Sequence, residues 1–148
     1  MVRDELAPRL RDIGFVGSGQ TYTLPDTDAW LMIGLQRSKW SDATAVDFTL
    51  NLTVALKSLW TERHEERPDF YPRRPGANTD YGDVMWQDRI SSVLRDEGLL
   101  GASEPEKWWR VQAGEPTEAV TADVLKVVGS YALPAILAMR DKVLSELG

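Results

Sequence analysis

The chain has 148 residues, the length of one ordinary domain, and its 43% hydrophobic and 27% charged residues exclude a disordered or low-complexity polymer. Its 17 basic and 23 acidic residues give a net charge of -6, which argues against sequence-independent binding to a nucleic-acid backbone. There is no Cys, so disulfides, thiolate metal sites and cysteine nucleophiles are excluded, and a reducing cytoplasm is the expected setting.

The N-terminus, Met1 to Glu5, leads straight into a helical pattern, without the basic and apolar regions of a secretory signal. No uninterrupted apolar run approaches the roughly 20 residues of a membrane-spanning helix, so no membrane partner is expected. Val2, Leu6, Leu10 and Ile13 recur at helical spacing up to Gly14. Pro8 leaves two starts open: near its own ring, whose φ suits a first turn, or earlier, at the loss of one backbone hydrogen bond.

Gly17-Ser18-Gly19 follows that helix instead of preceding one, which is wrong for a phosphate-cradling turn and reads as a flexible lead into the first strand. Thr21–Leu24 and Trp30–Leu35 flank Pro25-Asp26-Thr27-Asp28, a hairpin pattern whose second strand is apolar on both faces. The clearest period comes next: Val46, Phe48, Leu50, Leu52, Val54 and Leu56 alternate with Asp47, Thr49, Asn51 and Thr53. This predicts a strand with one dry face and one polar face.

Ala55 to Trp60 is expected to turn helical, and residues 62–82, rich in Pro, Gly and charge, read as a long loop. Gln87 to Leu94 fits a fourth strand, with a short helix nearly as good. Lys107 to Val111 fits another strand. Apolar residues from Val120 to Tyr131 and from Ile136 to Leu147 define helix faces on either side of Pro134, which predicts one kinked helix or two end to end. With no repeat or linker, residues 1–148 are expected to form a single α+β domain: an antiparallel sheet of about five strands, with the helices on one face and the polar face open.

The segments Gln36-Arg37-Ser38-Lys39-Trp40, Phe48-Thr49-Leu50-Asn51-Leu52, Lys107-Trp108-Trp109 and Tyr131-Ala132-Leu133-Pro134, in this order and spacing, resemble the bacterial family of domain of unknown function 4304. The resemblance runs from Leu6 to the C-terminal helix and is weakest over Asp80 to Leu94. It implies the α+β fold and a bacterial setting, and it brings no catalytic residues or cofactor.

The candidate site lies at the end of the second long strand. The Arg37 fork and Lys39 suit a small anionic ligand, with Trp40 as a wall; the alternative is that Arg37 pairs with a neighbouring acid and Trp40 caps the core. Asn51 offers a donor and an acceptor on the polar face, which otherwise is simply solvated. Trp108 and Trp109 point to opposite sides of their strand, and the outward one, taken as Trp109, is the aromatic candidate for a contact.

His64, alone in its type, sits in a run of mixed charge with no nucleophile elbow, and reads as a surface residue. Asp80, Asp83 and Asp88 are carboxylates more often solvated than catalytic. No metal-ligand spacing and no cofactor signature occurs. Two functions follow: a module binding a small anionic ligand or a partner protein through Arg37, Lys39, Trp40, Asn51 and Trp109, or a small cofactor-independent enzyme in which Arg37 or Lys39 orients an organic metabolite and Asp47, Asp83 or His64 moves a proton. A deep pocket with a titratable group beside Arg37 would favour the enzyme, and an exposed patch centred on Trp the binder.

Overall fold

The computed structural model describes residues 2–147, with side chains from Asp4 to Glu146. Helix α1 spans Val2–Ile13, with Leu6, Ala7 and Leu10 on its buried stripe. Pro8 lies inside it, so the earlier of the two starts is the one adopted. Asp4 and Glu5 in the first turn and Arg11 in the last complement the helix dipole.

Six strands follow in one antiparallel sheet: β1 Val16–Ser18, β2 Thr21–Leu24, β3 Ala29–Arg37, β4 Ala45–Leu56, β5 Trp86–Arg89 and β6 Trp109–Gln112. The stretch read as a flexible lead is an edge strand; Gly17 and Gly19, at φ +126 and +67, supply the backbone that its tight connection to β2 requires. β3 pairs with β4 over its whole length, from Ala29↔Leu56 to Arg37↔Phe48. The other side of β4 is shared: β6 pairs with Ala45 to Phe48 and β5 with Asn51 to Val54.

One face of this sheet carries Tyr22, Leu31, Ile33, Leu35, Leu50, Leu52 and Val54. These pack with Leu6 and Leu10 of α1 and with Val124, Val127, Val128, Ala132 and Ile136 of the C-terminal helices. Each fully buried Leu or Ile there contributes about 1.5–3 kcal/mol. Glu5 joins α1 to the last helices by accepting hydrogen bonds from the Thr117 and Thr121 hydroxyls, both at 2.5 Å.

The opposite face is not open. Thr49, Asn51, Thr53 and Ala55 are all buried, covered by an irregular strap, residues 67–85, that follows helix α2, Lys57–Glu66. Asn51 Nδ2 donates to Gln36 Oε1 (2.6 Å) and Asn78 Oδ1 (2.9 Å), and Asn78 Nδ2 donates to the Leu35 carbonyl (3.2 Å). Gln87 Nε2 reaches Thr53 Oγ1 and the carbonyls of Ala77 and Thr79. Thr49 Oγ1 donates to the Lys107 carbonyl at 2.8 Å. The polar residues of β4 are therefore satisfied by the strap, by β5 and by the segment leading into β6, and not by solvent, which is why an alternating pattern sits in a strand buried on both sides. A second apolar cluster anchors the strap's two ends: Trp60, Tyr71 and Val84, with Trp30, Tyr81 and Met85 against them. α2 runs on to Glu66, beyond the Trp60 end expected from sequence, so the loop begins later.

The fourth-strand segment divides, with β5 ending at Arg89 and helix α3 running from Ile90 to Asp96. Ile90, Ser91 and Leu94 are its buried residues, a helical spacing. At the C-terminus, α4 (Glu118–Val127), a π turn (Val128–Ala132) and α5 (Leu133–Leu147) form one continuous run. The wider turn accommodates Pro134, whose ring would otherwise press on the carbonyl one turn back and which offers no N–H to it. By length and composition the run Glu118–Glu146 suffices to cross a membrane, and 28% of its most apolar window is buried in the fold. Gly129, Ser130 and Pro134 interrupt that window, so a search for an unbroken apolar run passes over it.

Candidate functional site

The β3–β4 connection is built by its own side chains. Ser38 N–H donates to the Asp47 carbonyl (2.7 Å), and the Asp47 N–H donates to Ser41 Oγ (3.0 Å). Asp42 Oδ1 accepts from the Thr44 hydroxyl (2.7 Å) and from the N–H groups of Thr44 (2.7 Å) and Ala45 (3.0 Å), and these bonds hold its carboxyl below the usual range. With the loop tied down from inside, Trp40 projects from its tip, 81% exposed. Lys39 Nζ lies 5.1 Å from its ring centre.

Arg37 ends β3, exposed, and neither it nor Lys39 has an ion-pair partner among the described residues. The pairing expected as its alternative belongs to another arginine. Arg110 of β6 makes a two-pronged contact with Asp47, Nε to Oδ1 at 2.8 Å and Nη2 to Oδ2 at 3.0 Å, which lowers the Asp47 pKa and raises that of Arg110. Trp40 does not cap the core.

Two of the five candidate residues stand apart from this tip. Asn51 is 5% exposed and engaged with Gln36 and Asn78. Trp109 is the inward member of its pair, 4% exposed, stacked on Phe48 at 5.7 Å between ring centres and donating from Nε1 to Asp123 Oδ2 at 2.7 Å. Trp108 is the outward one, half-buried, with the Arg89 guanidinium 5.4 Å from its ring. The assignment of the outward role to Trp109 is thus corrected by one residue, the phase that places Trp109 opposite Phe48 in the ladder.

The acid–base candidates do not converge. His64 Nδ1 lies 2.6 Å from the Tyr71 carbonyl, which only accepts, so this nitrogen carries the ring proton. Asp83 faces Arg63 at 3.7 Å, Asp80 caps Gly82 N–H, and Asp88 accepts from the N–H of Arg89. Among the described residues no group of three or more His, Asp or Glu is placed to hold a metal ion.

Four of the surface clefts among the described residues are of a size to take a small molecule. One of about 440 Å³ lies between Trp108 and Tyr131; others of about 380 and 300 Å³ flank Met139 and Lys142. The fourth, about 600 Å³, runs between β2 and the strap, lined by Thr21, Thr23, Arg74 and Tyr81. Arg37, Lys39 and Trp40 line none of these four. Arg74 and Tyr81 escape a reading of the sequence because each sits in the strap, whose position is fixed only by long-range contacts; Trp108 is missed only through the phase of its strand.

Such a sheet with helices on one face and a strap on the other is an α+β domain with an exposed aromatic and cationic hairpin tip. The chain belongs to the family described as Domain of unknown function (DUF4304), whose profile matches residues 6–137. No curated protein and no solved structure matches it.

Proposed function

We propose that this domain is a binding module that docks on a partner protein through the tip of the β3–β4 hairpin, with Trp40 as the anchor and Arg37 and Lys39 as flanking cations. The observation that carries this reading is the 81% exposure of Trp40 beside Lys39, with Arg37 at the adjoining strand end and neither cation in an ion pair among the described residues. An indole held out in water forgoes the burial that an aromatic of its size ordinarily obtains, and Trp and Arg are the residues on which interface energy concentrates. The cations select a partner with an acidic surface, and in a chain of net charge -6 they form a local reversal of sign.

The test begins with cross-linking in cells, comparing native chain, Trp40→Ala and the double variant Arg37→Ala/Lys39→Ala. A partner lost in both variants is then purified and titrated directly. Loss of Trp40 is expected to weaken that binding by about thirtyfold or more, corresponding to about 2 kcal/mol. Unchanged affinity in both variants would remove the hairpin from the interface.

A further inference from the structure

We propose that the groove between β2 and the strap is a second, separate binding site that takes a small organic oxoanion, with Arg74 holding the anionic head group. This inference is independent of the hairpin reading and uses none of its residues.

The groove, about 600 Å³, is within the usual size of a small-molecule site. Its lining is Val16, Gly17, Thr21, Thr23, Pro72, Arg74, Pro75, Gly76 and Tyr81, a set with one cation and no acid. That composition is notable in a chain with 23 acidic residues. The groove lies at the β2 end of the second sheet face: Thr21 and Thr23 lie on the same side of the sheet as Gly34 and Met32, to which they are paired, with Thr21 partly exposed and Thr23 buried against Arg74.

The hydrogen-bonding state of its polar atoms is what selects an anion. Arg74 Nη2 donates to Thr23 Oγ1 at 3.0 Å, and Gly76 N–H donates to the Tyr81 hydroxyl at 3.2 Å. Both hydroxyl oxygens are therefore used as acceptors, and each keeps its own proton to donate. Arg74 has further N–H groups and no ion-pair partner among the described residues. It is also held in place, its guanidinium 5.1 Å from the Trp30 ring centre, with Lys57 Nζ 4.7 Å from the same ring. A fixed guanidinium fork beside two or three hydroxyl donors, with no competing carboxylate, matches a carboxylate or phosphate head group. Pro72, Pro75 and the Tyr81 ring supply an apolar wall for the body of the ligand.

Carboxylate and phosphate share this chemistry, and two probes separate them. Inorganic phosphate and benzoate are titrated separately into the ¹⁵N-labelled full chain, with the amides of Gly17, Thr21 and Gly76 and the Trp30 indole followed by NMR. A saturable shift confined to these positions with at least one probe is expected. Phosphate alone would mark a phosphoryl head group, benzoate alone a carboxylate whose ring rests on the Pro72, Pro75 and Tyr81 wall, and both a site that reads charge. Arg74→Ala should weaken the effective probe by about tenfold or more. Should that variant not fold, Thr21→Val and Tyr81→Phe each remove one hydroxyl and should weaken binding roughly two- to tenfold. No saturable shift with either probe, shifts that map elsewhere, or variants that bind like the native chain would overturn the proposal.

Discussion

The carboxamide of Asn78 occupies the space that a Cβ on Gly34 would fill. A methyl group there would collide with Asn78 Oδ1 and come within 2.9 Å of the Ala77 carbonyl oxygen. The side chain of Asn78 has room to swing outward, but the Ala77 carbonyl belongs to the backbone. Gly34→Ala should therefore lift the strap locally and cost about 1–3 kcal/mol, read as a lower urea midpoint. Adding Asn78→Ala should recover only part of that loss, because the backbone contact persists.

Asn51 gives a related prediction from the polar side of the same contact. Asn51→Ala leaves Gln36 Oε1 and Asn78 Oδ1 without their donor beneath the strap. Gln36 is half-buried and Asn78 exposed, so both acceptors can turn toward water, and the loss of the shared donor should cost about 0.5–1.5 kcal/mol. Hydrogen exchange should show faster opening in residues 73–80, with the β3–β4 ladder amides less affected.

The two neighbouring tryptophans should behave unequally. Trp109→Ala removes a buried ring stacked on Phe48 and strands the hydrogen bond to Asp123, so a loss of about 3–5 kcal/mol is expected. Trp108→Ala removes a half-buried ring and should cost less than half as much. Chemical denaturation of the two variants side by side checks the order, and equal losses would contradict the inward placement of Trp109.

Acid should loosen the link between the β2–β3 turn and α5. Burial works against ionisation of Asp26, but hydrogen bonds from the Asp28 N–H, Arg140 and the Ala29 N–H outweigh it and hold the carboxyl below its usual range. Arg140 Nε lies 2.7 Å from Asp26 Oδ1. A pKa lower in the folded than in the unfolded chain stabilises the fold above the unfolded value, about 3.9 for aspartate, and that stability is lost as pH falls through the folded value. Asp47, tied to Arg110, and Glu5, tied to Thr117 and Thr121, shift in the same direction. Urea midpoints measured downward from pH 5 should fall, and Asp26→Asn should flatten part of that slope.

Removing the exposed indole should leave stability alone. Trp40→Ala is expected to change the unfolding free energy by less than about 0.5 kcal/mol, measured by urea denaturation. That makes it a clean probe of binding, since any lost interaction is then not a folding defect.

The strands with strong periods were legible from the residues: the β2–β3 hairpin through its Pro-Asp turn, and β4 through its alternation. The α+β class followed from their order. What alternation does not reveal is what lies above the polar side. Thr49, Asn51 and Thr53 look the same in sequence whether water or other chain segments satisfy them, and their partners, Lys107, Asn78 and Gln87, are far away along the chain. The segment after residue 86 was ambiguous because Ile90 and Leu94 fit either period, and the Trp108–Trp109 orientation turned on a single-residue phase. At the site, exposure of Arg37, Lys39 and Trp40 agrees with a loop at a strand end, whereas Arg74 and Tyr81 gain meaning only once the strap is folded back over β2.

Because β4 carries one partner along its full length and two different ones on its opposite edge, its residue count is fixed from three directions at once. Inserting or deleting one residue between Phe48 and Asn51 would turn the oily side toward Asn78 and the Thr and Asn side toward α1, while pulling β5 and β6 out of step with each other. Length variation among relatives should thus collect in the connections around residues 38–44 and 97–106, with this central stretch held to constant size.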